Sequence, residues 1–339
     1  MSREFIGGKE LTDRILALAE SEVGKRTREA PSSVNLRTGL SQGTVNPQEI
    51  SEIWMNLSGY IAGITEIAHK TEICSYQLKK GTCGEFPFPV HLYEDVYPSH
   101  LAISMFTHDL IDFISSFPFS SDYLQEGVRE KNIDEINKSL SRDVIWNQYD
   151  IARLAFNLIP YIASGEDQYL RKVEVEELPR LLRAGITSSF IPKVTNNLKQ
   201  DYILSDQFWC LKQCYKNADK IITKTGHEDN ERFESPLTDI EITLENEEPY
   251  QVASIRNYAR GIRYERLPKI FGRYTQGGTG LGLEVVKRLC ELSNGFVVVK
   301  SAREDNKAHA HDTTNPVSYI EQLEGDFKRG TEFQMHFKI

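Results

Sequence analysis

The stretch Gln276-Gly-Gly-Thr-Gly-Leu-Gly-Leu-Glu-Val-Val-Lys-Arg-Leu-Cys-Glu-Leu-Ser-Asn-Gly295 decides how this chain is read. Gly277, Gly278, Gly280 and Gly282 make a pliable backbone that enters an amphipathic helix predicted over Leu281–Leu292, with Gly295 as its C-terminal stop. A loop of this kind presents amide N–H groups and a positive helix end to an anion such as phosphate. The Walker pattern GxxxxGK[ST] is absent, and so is the GxGxxG fingerprint of dinucleotide folds. The bland alternative is a glycine turn with no ligand, and the segments on either side weigh against it.

Working outward, the closing segment Gly330-Thr-Glu-Phe-Gln-Met-His-Phe-Lys-Ile339 alternates like a strand. Upstream, Ile145, Tyr149, Ala152, Phe156 and Ile159 form one apolar face of a helix predicted over Val144–Ala163. Ile151, Leu154, Leu158 and Ile162 form another, and Pro160 predicts a kink. Two apolar faces imply burial on two sides, as in a helical hairpin paired with a second copy of itself; the alternative is a helical layer lying on the next domain. Before it, Ile103, Phe106, Leu110, Phe113 and Phe117 alternate in steps of three and four until Pro118. His108 lies about 200° around that helix from Phe106 and Leu110, which points its imidazole to solvent beside Asp109. An accessible imidazole with an adjacent carboxylate suits nucleophilic chemistry, although an exposed helical histidine without a role is commoner.

The N-terminal third carries less chemistry. One helix is predicted over Glu10–Arg26, a linker over Pro31–Pro47 from its Ser, Thr, Asn and Gly content, and a helix from Asn46-Pro47 through Leu78. The glycines and prolines between Gly81 and Pro98 mark a boundary.

With 339 residues, 40% hydrophobic and 26% charged, the chain has material for two or three domains with real cores. The net charge of -9 argues against a broad nucleic-acid surface. No apolar run is long enough for a membrane span or a signal peptide, so a soluble, cytoplasmic protein is expected. The five cysteines lack paired zinc spacing and are expected as free thiols, with Cys210 and Cys214 buried in a helix core. His309, His311 and Asp312 could ligate a metal, but a loop containing histidines without metal is the commoner case.

The order of motifs resembles the histidine-kinase ATPase domain, the Bergerat fold shared with gyrase, Hsp90 and MutL. Tyr264-Glu-Arg-Leu-Pro-Lys-Ile-Phe-Gly-Arg-Tyr274 resembles its phenylalanine box, GGTGLGL its second glycine box, and Asp206, Leu211, Asn217, Ala218 and Lys220 fit its asparagine-box helix. The resemblance spans roughly Val173 to Ile339, and Thr107-His108-Asp109-Leu110 resembles the family's phosphoacceptor histidine box. The fold it implies is α+β: a helical N-terminal region over 1–95, a dimerising phosphoacceptor hairpin over 96–165, and an α/β-sandwich ATPase domain over 166–339.

The resemblance further implies His108, Asp109 and Gln213 as catalytic residues. It implies nucleotide contacts at Asn217, Lys220, Asn257, Gly261, Phe271, Gly278, Thr279, Gly280, Leu281 and Gly282, with Asn217 the magnesium ligand. ATP and Mg²⁺ would be the cofactors, and a second copy of the chain and a response-regulator receiver domain the partners. The function implied is ATP-dependent autophosphorylation on His108 followed by phosphotransfer.

Three positions depart from the family pattern. Asn257 replaces the aspartate that accepts the adenine amino group, and Ala259 replaces the first glycine of the same box. A neutral amide is a weaker acceptor than a carboxylate, and a loss of roughly 1–3 kcal/mol would lower affinity about 5- to 150-fold. Gln213 stands where the family has Asn or Glu and cannot act as a base near neutral pH. The alternative function is therefore a catalytically decayed pseudokinase or phosphotransfer scaffold. A gyrase-like or Hsp90-like conformational ATPase is a third reading, disfavoured by the lack of a glutamate at 213.

Overall fold

The computed structural model describes residues 8–80, 143–184, 186, 190–229, 239–259, 261–271, 281–302, 308–314, 320–323 and 329–339. The chain divides into two compact units, Met1–Arg171 and Lys172–Ile339.

The first unit is helical: α1 (Gly8–Glu20), α2 (Glu22–Glu29), α3 (Ser33–Gln42), α4 (Pro47–Lys80) and α5 (Asp143–Ser164). The single helix expected over Glu10–Arg26 is two helices. Ser21 breaks it because its hydroxyl accepts from Gly24 N at 3.1 Å and caps α2. The expected linker is largely α3. Ser32 caps its start by accepting from Asn35 N, Gly43 ends it in the left-handed region, and Leu36 is buried on its inner face. Composition misled here because tertiary contacts hold this helix: Asp150 on α5 accepts from Ser33 N at 3.0 Å and from the Ser33 hydroxyl. The start of α4 is as expected. Asn46 Oδ1 accepts from Glu49 N and Glu49 Oε2 accepts from Asn46 N, both at 2.9 Å, forming a reciprocal capping box.

Both apolar faces of α5 are buried within the single chain, and the helix runs through Pro160. Trp54 of α4 stacks on Tyr149 at 4.6 Å and meets Trp146 edge-on at 5.5 Å. The Tyr149 hydroxyl donates to Pro31 O at 2.8 Å. The preceding helix expected over Ile103–Phe117 lies outside the described residues. Among the described residues no helix is long and apolar enough to cross a membrane.

The second unit contains β1 (Lys172–Glu174), α6 (Leu178–Arg183), β2 (Lys193–Asn196), β3 (Tyr202–Leu204), α7 (Ser205–Asp229), β4 (Ile240–Glu247), β5 (Tyr250–Asn257), α8 (Leu281–Leu292), β6 (Phe296–Ala302), β7 (Ala308–Asp312), β8 (Ile320–Leu323) and β9 (Gly330–Lys338). β1 pairs with β3, and the main sheet has seven strands in the order β2-β4-β5-β9-β6-β7-β8. Only β2 and β4 run parallel. Helices α7 and α8 pack on each other and on the central strands. This is the mixed-sheet α+β layer architecture the motifs implied.

Alternation along the strands sends Ile242, Leu244, Ile255, Val299, Phe333 and Met335 into the layer beneath the helices. Cys210, Cys214 and Cys290 are buried there as free thiols. Cys214 Sγ lies 4.0 Å from Met335 Sδ, and Cys210 Sγ lies 3.8 Å from Val286 O. Burial raises the thiol pKa of both Cys210 and Cys214. The segment after Lys300 contributes strands β7 and β8 rather than a plain loop, pairing His309 with Ser301 and His311 with Val299. Strand alternation then puts Asp312 on the opposite face from both histidines. Among the described residues no cluster of three or more His, Cys, Asp or Glu could hold a metal.

Candidate functional site

Two bridges orient α7 on the sheet. At its start, Gln207 Nε2 donates to Gln251 Oε1 at 3.0 Å, near the beginning of β5. Further along, Cys214 meets Met335, whose cross-strand partner is Ala253. The helix therefore advances in the same sense as β5, toward the strand end that carries Asn257. Gln213, Asn217 and Lys220 follow one another at helical spacing on this advancing part. Gln213 is buried, Asn217 half-buried and Lys220 exposed.

Behind them, Lys212 is fully buried, and its Nζ donates to the carbonyls of Leu181 (2.8 Å), Leu182 (2.7 Å) and Ala184. These carbonyls lie at the C-terminus of α6, where Leu181 O also accepts from Ala184 N at 3.2 Å and the Lys212 amine supplies the further donors. Burial pushes the Lys212 pKa well down. The contact is structural: it pins α6 to the helix carrying Gln213 and Asn217.

The end of β5 is polar and closed in. Asn257 is 4% exposed, and its Oδ1 has no hydrogen-bond partner among the described residues. Its neighbour across the sheet is Thr331, itself paired on its other side with Ser301. The Ser301 and Thr331 hydroxyls are 3.1 Å apart, and Ser301 Oγ accepts from Ile262 N at 2.7 Å. Ser301 can also donate to Gly330 O at 3.1 Å. One buried hydroxyl thus ties the segment leaving β5 to the ends of β6 and β9.

Two glycines permit this closeness. A Cβ on Gly261 would lie 2.0 Å from Ala302 O. One on Gly330, whose φ is +99°, would lie 2.0 Å from Asn257 O. Ala259, at the position of the family's first glycine, is completely buried. The Tyr258 hydroxyl donates to Glu241, and Arg256 lies 4.8 Å over the Tyr258 ring, holding the segment from the opposite side. The Tyr258 pKa is raised, first by burial and then by that hydrogen bond.

The remaining expected residues fall around this end of the sheet or outside it. Phe271 is buried, edge-on to Phe333 at 6.4 Å and 6.2 Å from His311. Leu281 and Gly282 open the first turn of α8. Its far end closes one residue before the expected stop: Asn294, not Gly295, is left-handed, and Gly295 N returns to Cys290 O at 2.8 Å. Gly278, Thr279, Gly280, His108 and Asp109 lie outside the described residues. Sequence reasoning passed over Ser301 and Thr331; a buried hydroxyl opposite a motif residue has no local signature.

A buried unpaired acceptor costs about 1–3 kcal/mol, so Asn257 Oδ1 marks a place where a ligand donor fits. A purine amino group meets that need. For magnesium the fit is narrower: Asn217 offers one amide oxygen, and the other ligands would be phosphate oxygens and water.

Residues 210–339 match the family described as Histidine kinase-, DNA gyrase B-, and HSP90-like ATPase. Among solved structures, the chain is similar to "Mycobacterial sensor histidine kinase MprB" at 18% identity, over 50% of this chain and 96% of that one, with a TM-score of 0.34. It is also similar to "Crystal structure of ShkA full-length in complex with AMPPNP" at 14% identity, over 61% of this chain and 38% of that one, again with a TM-score of 0.34.

Proposed function

We propose that this chain, whose residues 210–339 match the histidine kinase-, DNA gyrase B- and HSP90-like ATPase family, is a cytoplasmic histidine-kinase-like signalling protein. In this reading it autophosphorylates on His108 from ATP as a homodimer and passes the phosphoryl group to a response-regulator aspartate. The observation that carries the reading is the orphaned, buried Asn257 Oδ1 at the end of β5, on the strand end toward which the Gln213–Asn217 face of α7 advances. A polar atom left unpaired in a closed site costs stability unless a ligand completes it.

Magnesium, when bound, neutralises charge on the phosphates. The chain does the positioning. Asn257 accepts from the base, Asn217 offers its amide oxygen to the metal, and the backbone amides at Gly278, Gly280 and Gly282 hold phosphate oxygens. The His108 imidazole nitrogen forms a bond to the γ-phosphorus as the bond to the β,γ-bridging oxygen breaks and ADP departs with that electron pair. In this reading Asp109, the next residue in the chain, orients the ring or takes its proton. Gln213 orients rather than deprotonates, because an amide is no base near neutral pH.

The same departures support a second reading, a scaffold in which transfer has been lost. Gln213 is buried with its Nε2 unpartnered, and Ala259 is sealed in the core. The deciding experiment is incubation with γ-labelled ATP and Mg²⁺, scoring acid-labile label on wild type and His108→Ala. Label that disappears in the variant supports the kinase. An unlabelled wild type whose melting temperature ATP leaves unchanged leaves the scaffold.

A further inference from the structure

The base-binding end of β5 has no fixed hydrogen-bond polarity. Asn257 presents an amide, which offers an acceptor on one side and a donor on the other. Among the described residues its Oδ1 has no partner and the residue is 4% exposed, so no bond to that oxygen fixes which way the amide faces. Its cross-strand neighbour Thr331 is also buried, and carries a hydroxyl that can donate or accept. Nor is that hydroxyl locked. The Ser301 proton has two acceptors at 3.1 Å, Gly330 O and Thr331 Oγ1. When Ser301 donates to Gly330, Thr331 can donate to Ser301; when Ser301 donates to Thr331, the Thr331 proton is released toward the site. Ile262 N, donating to Ser301 at 2.7 Å, is compatible with both arrangements.

We infer that this end of β5 takes purine nucleotides with either a 6-amino or a 6-oxo group, with Asn257 as the residue that removes discrimination between them. This rests on the nucleotide-binding reading of the site and extends it to the class of base. Adenine offers a donor at its amino group and an acceptor at the neighbouring ring nitrogen. Guanine offers the reverse, an acceptor oxygen and a ring N–H donor. A carboxylate at 257 would accept only, favouring the amino group and repelling the oxygen. An amide rotated by 180° answers both, at similar cost. The pyrimidine edge of cytosine repeats the adenine pattern on a smaller ring, so CDP serves as a size control.

The test is direct binding by calorimetry of ADP, GDP and CDP, each with Mg²⁺, to the full chain and to Asn257→Asp. Wild type should bind ADP and GDP within about tenfold of each other. Asn257→Asp should shift the ratio toward ADP by tenfold or more, chiefly through lost GDP binding. A wild type that binds ADP at least a hundredfold more tightly than GDP overturns the inference and leaves the nucleotide site intact. So does an Asn257→Asp variant that melts cooperatively but keeps the wild-type ratio. Should that variant not fold, the wild-type ratio alone decides. Absence of binding by all three nucleotides overturns both this inference and the site reading beneath it.

Discussion

Asp150 in the helical unit and Asn257 in the sheet unit are both buried polar side chains, 1% and 4% exposed, yet they are opposites in hydrogen bonding. Asp150 receives the backbone N–H and hydroxyl of Ser33 and lies 3.9 Å from Arg153 Nε. Asn257 leaves its oxygen unanswered. Burial alone therefore does not mark a functional group. A satisfied buried polar atom builds the fold, whereas an unsatisfied one is an expense the fold carries for something else. Lys212 belongs with Asp150, for all its charge, because three carbonyls use its protons.

The contrast breaks or sharpens by mutation. The largest effect is expected at Lys212→Met, which keeps the stem but removes the donor to Leu182 O and Ala184 O and one of the two donors to Leu181 O. At about 1–3 kcal/mol for each buried orphan, partly relieved by water, the loss should be about 3–5 kcal/mol in urea unfolding. A loss under about 1 kcal/mol would mean that the charge is a burden and not an anchor. Asp150→Ala should follow, costing about 2–4 kcal/mol by uncapping α3 and orphaning Ser33 N. Its far-UV circular dichroism should show reduced helix content.

Alkaline titration probes a third setting, the thiols under α7 and α8. The Cys214 pKa is raised by burial from an ordinary value of 9.0, so above that pH the unfolded chain releases a proton that the folded chain retains. The unfolded state then binds fewer protons, and stability falls as pH rises from about 9 toward the raised folded value. The slope from one such group is about 1.4 kcal/mol per pH unit. Cys214→Ala should be less stable at neutral pH but show a shallower loss between pH 9 and 10.5. Parallel curves would mean that another group governs the alkaline limb. The smallest effect is expected at Asn257→Ala, which removes an atom that bonds to nothing in the fold: less than about 1 kcal/mol in thermal melts, with nucleotide affinity reduced. A large stability loss there would erase the distinction between the two buried groups.

Legibility from sequence follows the range of the interaction. The helix start at Asn46-Pro47, the helix through Pro160, the stop near Gly295 and the alternation of β9 are local, and each could be read from neighbours a few residues apart. The glycine-rich stretch before α8 announced the sheet unit's class in the same way. By contrast α3 looked like linker because its stabilising partner, Asp150, is far away in the chain. The break at Ser21 turned on whether one hydroxyl bonds solvent or Gly24 N, and composition does not decide that.

The sequence by itself determined the long helices α4 and α5, the closing strand β9, the α+β class of the sheet unit and the residue Asn257, because these follow from periodicity, capping chemistry and motif order. Only the tertiary structure decided that Asn257 Oδ1 is left without a partner while Asp150 and Lys212 are satisfied. It alone set Ser301 and Thr331 beside Asn257 and turned the segment after Lys300 into two more strands. The physical reason is that hydrogen-bond satisfaction depends on every group within about 3 Å, and in a folded chain those groups come from strands and helices that the sequence keeps far apart.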